Sequence, residues 1–99
     1  MVGEAANGRQ AIELARRTQP DVMVLDIAMP IMDGIEALPA ILQAAPGTHV
    51  LILTGFGSER IRAQALEAGA TGYLEKGAAP STMVAAVRAA ARGEREGFA

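Results

Sequence analysis

Ninety-nine residues with no cysteine, a single histidine and a formal net charge of −2 make one domain at most, and they exclude disulfides, thiolate chemistry and cysteine zinc sites. The balance carries no basic footprint for nucleic acid or an anionic membrane as a direct partner, and His49 alone cannot build a metal cluster. No apolar run nears the roughly eighteen residues of a membrane span, and "MVGEAANGRQ" lacks a basic segment followed by an apolar one, so the chain reads as soluble and cytoplasmic.

In chain order, "MVGEA" is a short candidate strand, followed by a helix over "NGRQAIELARRTQ" with Asn7 as its cap, Ala11, Ile12 and Ala15 on one face, and Pro20 as its stop. "DVMVLD" is a continuous apolar run, the pattern of a parallel strand buried on both faces. "GIEALPAILQAA" places Ile35, Leu38, Ile41, Leu42 and Ala45 at helical spacing, with Pro39 expected to kink or delay the helix by removing an amide donor. "HVLILTG" is a second buried strand. "SERIRAQALEAG" opens on Ser58 as a cap and closes on Gly69. "ATGYLEKG" is the last strand, and "STMVAAVRAAARG" is an Ala-rich helix capped by Ser81 and ended at Gly93.

A strand-helix unit repeated in this way predicts an α/β fold with an open parallel sheet and helices on both faces, because each parallel return needs a crossover. Ligands of such sheets bind at the carboxyl ends of the strands. Asp26, Thr54 and Lys76 end consecutive strands, so a carboxylate, a hydroxyl and an ammonium share one edge. Taken singly, each has a plain explanation: Asp26 opens a turn, Thr54 favours strands, and Lys76 is a solvated end. Together at the functional edge they point to a chemical site. Met29, Pro30, Met32, Asp33 and Gly34 form a fixed turn after Asp26, while Gly55 and Gly77 leave room for approach to the backbone. Asp33 reads as a helix cap, Met23 as core, and Met29 and Met32 as loop or partner surface. His49, at the opposite end of its strand, reads as exposed and inert, and "RGEREG" as a solvated helix end.

The segments "VLDIAMPIMDG", "VLILTG" and "GYLEKG" resemble, in order and spacing, the phosphoacceptor, switch-threonine and lysine motifs of the receiver domains of two-component response regulators. The resemblance runs from about Val2 to Gly93 and implies a flavodoxin-like fold. It implies that Asp26 accepts a phosphoryl group from a sensor histidine kinase with Mg²⁺ bound, that Thr54 and Lys76 contact the phosphoryl oxygens, and that Tyr73 is the switch aromatic. The carbonyl of Ala28 matches the family's backbone metal ligand.

Against the family's five βα units this chain shows four, beginning at what resembles the second strand; the acidic pair that would hold Mg²⁺ has no counterpart, and Glu4 ends a different strand. Weak metal binding and weak phosphorylation are therefore expected. Two packing outcomes are open: the strand near Val2 pairs directly with "DVMVLD", or chains associate as a homo-dimer or swapped oligomer. "AVRAAARGERE" resembles the last receiver helix entering the linker to a helix-turn-helix output domain, giving a truncated receiver over 1–93 and linker over 94–99. Any DNA binding then belongs to that C-terminal output domain. A receiver fold acting only in association is the alternative. An enzyme of another flavodoxin-like class lacks support, since no Gly-rich phosphate loop follows a strand.

Overall fold

The computed structural model describes residues 2–5, 7–27, 31–55 and 59–94. Strands and helices alternate in the expected order: β1 (Val2–Ala5), α1 (Gly8–Thr18), β2 (Val22–Ile27), α2 (Ile31–Ala44), β3 (His49–Thr54), α3 (Glu59–Glu67), β4 (Gly72–Glu75) and α4 (Pro80–Ala91). The four strands are parallel and lie in sequence order, β1-β2-β3-β4. β1 pairs directly with β2, Val2 opposite Val22 through Ala5 opposite Leu25, so the sheet closes within one chain by the first of the two expected routes.

Sequential order decides where the helices go. A right-handed crossover between neighbouring parallel strands always leaves its helix on the same side of the sheet, so α1, α2 and α3 share one face. α4 follows the last strand, crosses nothing, and covers the other. Strand alternation then sorts the core in two. Met23, Leu25, Val50, Ile52 and Tyr73 point to the three-helix face and pack with Ala11, Ala15, Leu38, Ile41 and Ala65. Val24 and Leu51 point to the opposite face, where Ala86 seals them with Met83 and Val87 alongside. One helix spans only part of a four-stranded face. The two large apolar side chains left exposed among the described residues, Val2 (52%) and Val84 (49%), lie on this thinly covered side.

Helix termini follow local chemistry. The Asn7 side chain accepts a hydrogen bond from the Gln10 amide at 2.9 Å, as its capping role requires. At the other end of α1, Gln19 adopts φ 47°, and its side-chain amide donates to the Ala15 and Ala44 carbonyls at 3.0 and 2.8 Å, tying the ends of α1 and α2 together. Gly69, at φ 106°, lets the Ala70 amide reach back to the Ala65 carbonyl at 3.0 Å and so closes α3. Gly93, at φ 75°, closes α4 in the same way, with the Glu94 amide on the Ala89 carbonyl at 2.9 Å.

Four expectations need correction. α2 begins at Ile31 and runs through Pro39, which is exposed, so the missing amide interrupts the solvent side of the helix and spares its packed face. Asp33 is then inside the first turn of α2 and is not its cap. α4 starts at Pro80, whose fixed φ suits a first helical position; its cap is Ala79, without a side-chain hydrogen bond, and Ser81 is already helical. His49 is half-buried, with Nδ1 3.3 Å from the Thr71 hydroxyl, and its ring abuts Gly93: a Cβ built there would come within 3.3 Å of Cε1. Ser58, Ala28, Met29 and Pro30 lie outside the described residues.

Candidate functional site

β2 is a rigid post. Val22, Met23, Val24 and Leu25 are all buried, flanked by β1 and β3 and covered on both faces, so the strand's tip has little freedom. Asp26 emerges at that tip with 48% of its side chain exposed, and the Lys76 ammonium sits 2.6 Å from Asp26 Oδ1. Lys76 is itself anchored, because its amide donates to the Thr54 carbonyl at 2.7 Å. The three polar strand ends read from the sequence therefore meet at one edge. Both charges of the pair are wet, so it contributes about 0–1 kcal/mol and yields readily to a charged ligand.

Thr54 is fully buried and, by strand alternation, shares the three-helix face with Ile52 and Tyr73. Tyr73 is 6% exposed, opposite Ile52, and is already packed inward. Gly77 serves the site through its backbone: φ is 95°, and nothing lies within 4 Å of where a Cβ would stand, so conformation and not space demands glycine. At Gly55 a Cβ would make an ordinary 3.9 Å contact with Lys76 Cδ.

Two features escaped sequence reasoning. Glu4 and Gln10 line a shallow cleft with Ala5, Val24, Asp26 and Leu53 on the thinly covered side of the sheet. The signal was available in principle, since helix N-termini and strand C-termini share an edge in βα units and Gln10 is in the first turn of α1. Near the start of α3, Arg62 donates to both Glu59 carboxylate oxygens, at 2.6 and 2.7 Å. That hydrogen bonding and the Glu59 charge push the guanidinium further above its ordinary range, with a smaller electrostatic contribution from Tyr73.

The donor set present does not fit Mg²⁺. The ion takes six oxygens at about 2.0–2.1 Å in near-octahedral geometry. Among the described residues no three of His, Asp and Glu gather in one place, and one Asp26 oxygen is held by Lys76. Glu4 is opposite Val24, two residues short of Asp26, a diagonal of about 7–8 Å between Cα atoms that side chains alone would have to close. Among the described residues no helix is long and apolar enough to cross a membrane.

Comparison with known proteins agrees with this geometry. Residues 1–88 match the family model for the response regulator receiver domain. The chain is 47% identical over 92 residues to the uncharacterized transcriptional regulatory protein YxjL of Bacillus subtilis, covering 93% of this chain and 42% of that protein. It thus spans about two fifths of the length of this relative and of two further curated relatives. Among solved structures, the receiver domain of the putative response regulator NarL from Mycobacterium tuberculosis superposes with a TM-score of 0.82 at 38% identity, covering 95% of this chain and 76% of that one. A Burkholderia pseudomallei response regulator, solved with a phosphorylated aspartic acid, a calcium ion and citrate, gives 0.74 at 27% identity over 89% of this chain and 52% of that one. With its parallel sheet and its Asp26–Lys76 pair at the strand tips, the chain belongs to the receiver-domain family of two-component response regulators.

Proposed function

We propose that Asp26 is the phosphoacceptor of this chain, taking its phosphoryl group from the phosphohistidine of a sensor histidine kinase. The observation that carries the reading is the half-exposed Asp26 carboxylate on a buried strand, 2.6 Å from the Lys76 ammonium. In the transfer an Asp26 oxygen bonds to phosphorus as the phosphorus–nitrogen bond breaks, and that electron pair returns to the imidazole. Lys76 is placed to move from the Asp26 oxygen to a phosphoryl oxygen, keeping its counter-charge role. Thr54 follows as the second phosphoryl contact and Tyr73 as the switch aromatic beside it, so the shift spreads along β4 and the surrounding helices. The Burkholderia pseudomallei relative, with its phosphorylated aspartic acid, supports this assignment.

The chain is then a substrate of phosphoryl transfer and not an enzyme in the usual sense. Kinship with transcriptional regulatory proteins supports a receiver over 1–93, a linker beginning at 94–99 and control of a C-terminal DNA-binding domain in the cytoplasm. With the donors present, transfer is expected to be slow. Acetyl phosphate in excess, followed by borohydride trapping of the acyl phosphate and peptide mapping, should place the modification on Asp26. A trapped product at another residue, or none in folded protein, refutes the assignment.

Val2 and Val84, exposed on the side that α4 only partly covers, favour a second reading in which the receiver fold acts by self-association. Light scattering after size exclusion should then show a concentration-dependent dimer that Val2→Glu shifts to monomer by tenfold or more in Kd, the equivalent of about 1.4 kcal/mol. A wild-type chain that stays monomeric at high concentration rejects this reading.

A further inference from the structure

We infer that the Asn7–Gly8 bond, between β1 and α1, is a deamidation site held shut by the α1 cap, so that the modification marks chains whose cap has opened. Asn7 is the single asparagine in the chain, and the glycine after it has no side chain to shield its nitrogen. In the first step the Gly8 nitrogen, its proton passed to hydroxide, bonds to Asn7 Cγ. The Cγ–Nδ2 bond then breaks, and its electron pair leaves on nitrogen as ammonia once a proton returns from water. The succinimide so formed takes up one water. Opening at the former side-chain carbonyl gives aspartate at position 7. Opening at the backbone carbonyl gives isoaspartate, whose main chain runs through the old side chain and is one carbon longer.

The fold opposes the first step. Asn7 has φ −157° and ψ 168°, so the Gly8 nitrogen must swing about ψ before it can meet Cγ. The Asn7 carbonyl accepts from the Ala11 amide at 3.1 Å and its side-chain oxygen from the Gln10 amide at 2.9 Å. Rotation about ψ breaks the first bond, and ring closure breaks the second. Ala5 on one side and Gly8 and Ala11 on the other are buried, so the junction does not fray as a free helix end would. Asn7 itself is exposed, and water and hydroxide reach it. The products differ in what they leave behind. Aspartate is as good a cap as asparagine and complements the helix dipole. Isoaspartate carries its carboxylate directly on Cα, out of place for the Gln10 amide, and uncaps the turn from which Gln10 lines the Asp26 cleft.

The test compares folded protein with protein in guanidinium chloride at the same mildly alkaline pH. Mass spectrometry of the tryptic peptide ending at Arg9 reads the exchange of amide for acid. The unfolded chain should convert at least about tenfold faster than the folded one. Gln10→Gly, an exposed substitution that loosens the first turn and leaves the reacting atoms alone, should raise the folded rate and leave the unfolded rate unchanged. Gly8→Ala, read only in guanidinium chloride, should slow conversion. Methylation of the same peptide by an isoaspartyl methyltransferase identifies the longer-chain product. Hydrogen exchange at the Gln10 amide should stay slow in Asn7→Asp and rise in the purified isoaspartyl protein. Equal rates in folded and unfolded chains, a folded rate that Gln10→Gly does not change, or no acid at position 7 in the unfolded chain would overturn the inference. None of these readouts involves Asp26, so the phosphoacceptor reading stands or falls separately.

Discussion

Asp26→Asn should abolish acyl phosphate formation while leaving the fold nearly as stable as before. The carboxamide has the shape of the carboxylate, and its oxygen can still accept a hydrogen bond from Lys76. It lacks the anionic oxygen that would attack phosphorus, and the other carboxylate lining the cleft, Glu4, is carried by β1 opposite Val24 and not by the β2 tip. The stability change is expected to stay within about 1 kcal/mol, because Asp26 is 48% exposed and its partner 40%, so the lost ion pair was largely hydrated. Intact-mass spectrometry after acetyl phosphate treatment reads the first effect, and thermal unfolding followed by circular dichroism reads the second. The combination is diagnostic. A variant that no longer labels but has also lost several kcal/mol would mean that Asp26 holds the β2 tip together and that chemistry was lost with structure. A variant labelled at the wild-type rate would move the acceptor elsewhere.

The parts of the molecule that could be read from the sequence are those governed by local pattern. "VMVL" and "VLIL" are runs that suit strands buried between two covered faces, so polar groups such as Asp26 and Thr54 stand at their ends. Asn7, Gly69 and Gly93 are termini for reasons confined to one turn of backbone, and all three act as expected. The misreadings arise where two local rules compete or where a distant contact decides. At α4, Pro80 and Ser81 both signal a start, and the fixed φ of proline moves the cap two residues earlier, from Ser81 to Ala79. At Pro39 the cost of a missing amide is outweighed by Ile35, Leu38 and Ile41, which bury the inner face of α2. His49 looked inert because Thr71 and Gly93, far along the chain, are its neighbours. Glu4 reads from the sequence as the end of a different strand; direct pairing of β1 with β2, one of the two expected packing outcomes, brings it into the Asp26 cleft, and no pattern within β1 chooses between those outcomes.

Ile52→Ala is expected to be the most damaging single substitution among those outside the reacting groups, at about 2–5 kcal/mol. Ile52 is fully buried at the centre of β3, with Leu25 opposite on one side and Tyr73 on the other, beneath the three-helix face. Deleting its outer carbons leaves a void that neighbouring strands cannot close, since both are held in parallel register by their backbones. For a chain of 99 residues the whole folding free energy is about 5–15 kcal/mol, so the loss takes a large share of it. Urea unfolding gives the measurement, with Val84→Ala as the contrast: Val84 is 49% exposed, and its truncation should cost no more than about 0.5 kcal/mol. Equal costs at the two positions would mean that the half-open α4 side is covered in solution, which is the outcome that self-association would produce. Ile52 also stands two residues before Thr54, on the same face, and against Tyr73. A cavity there should loosen both Thr54 and Tyr73, so beryllofluoride should still reach Asp26 in folded Ile52→Ala protein, while the accompanying changes in the amide spectrum of β4 and α4 shrink. Undiminished changes in β4 and α4 would show that the signal leaves Asp26 by a route that does not pass through this packed row.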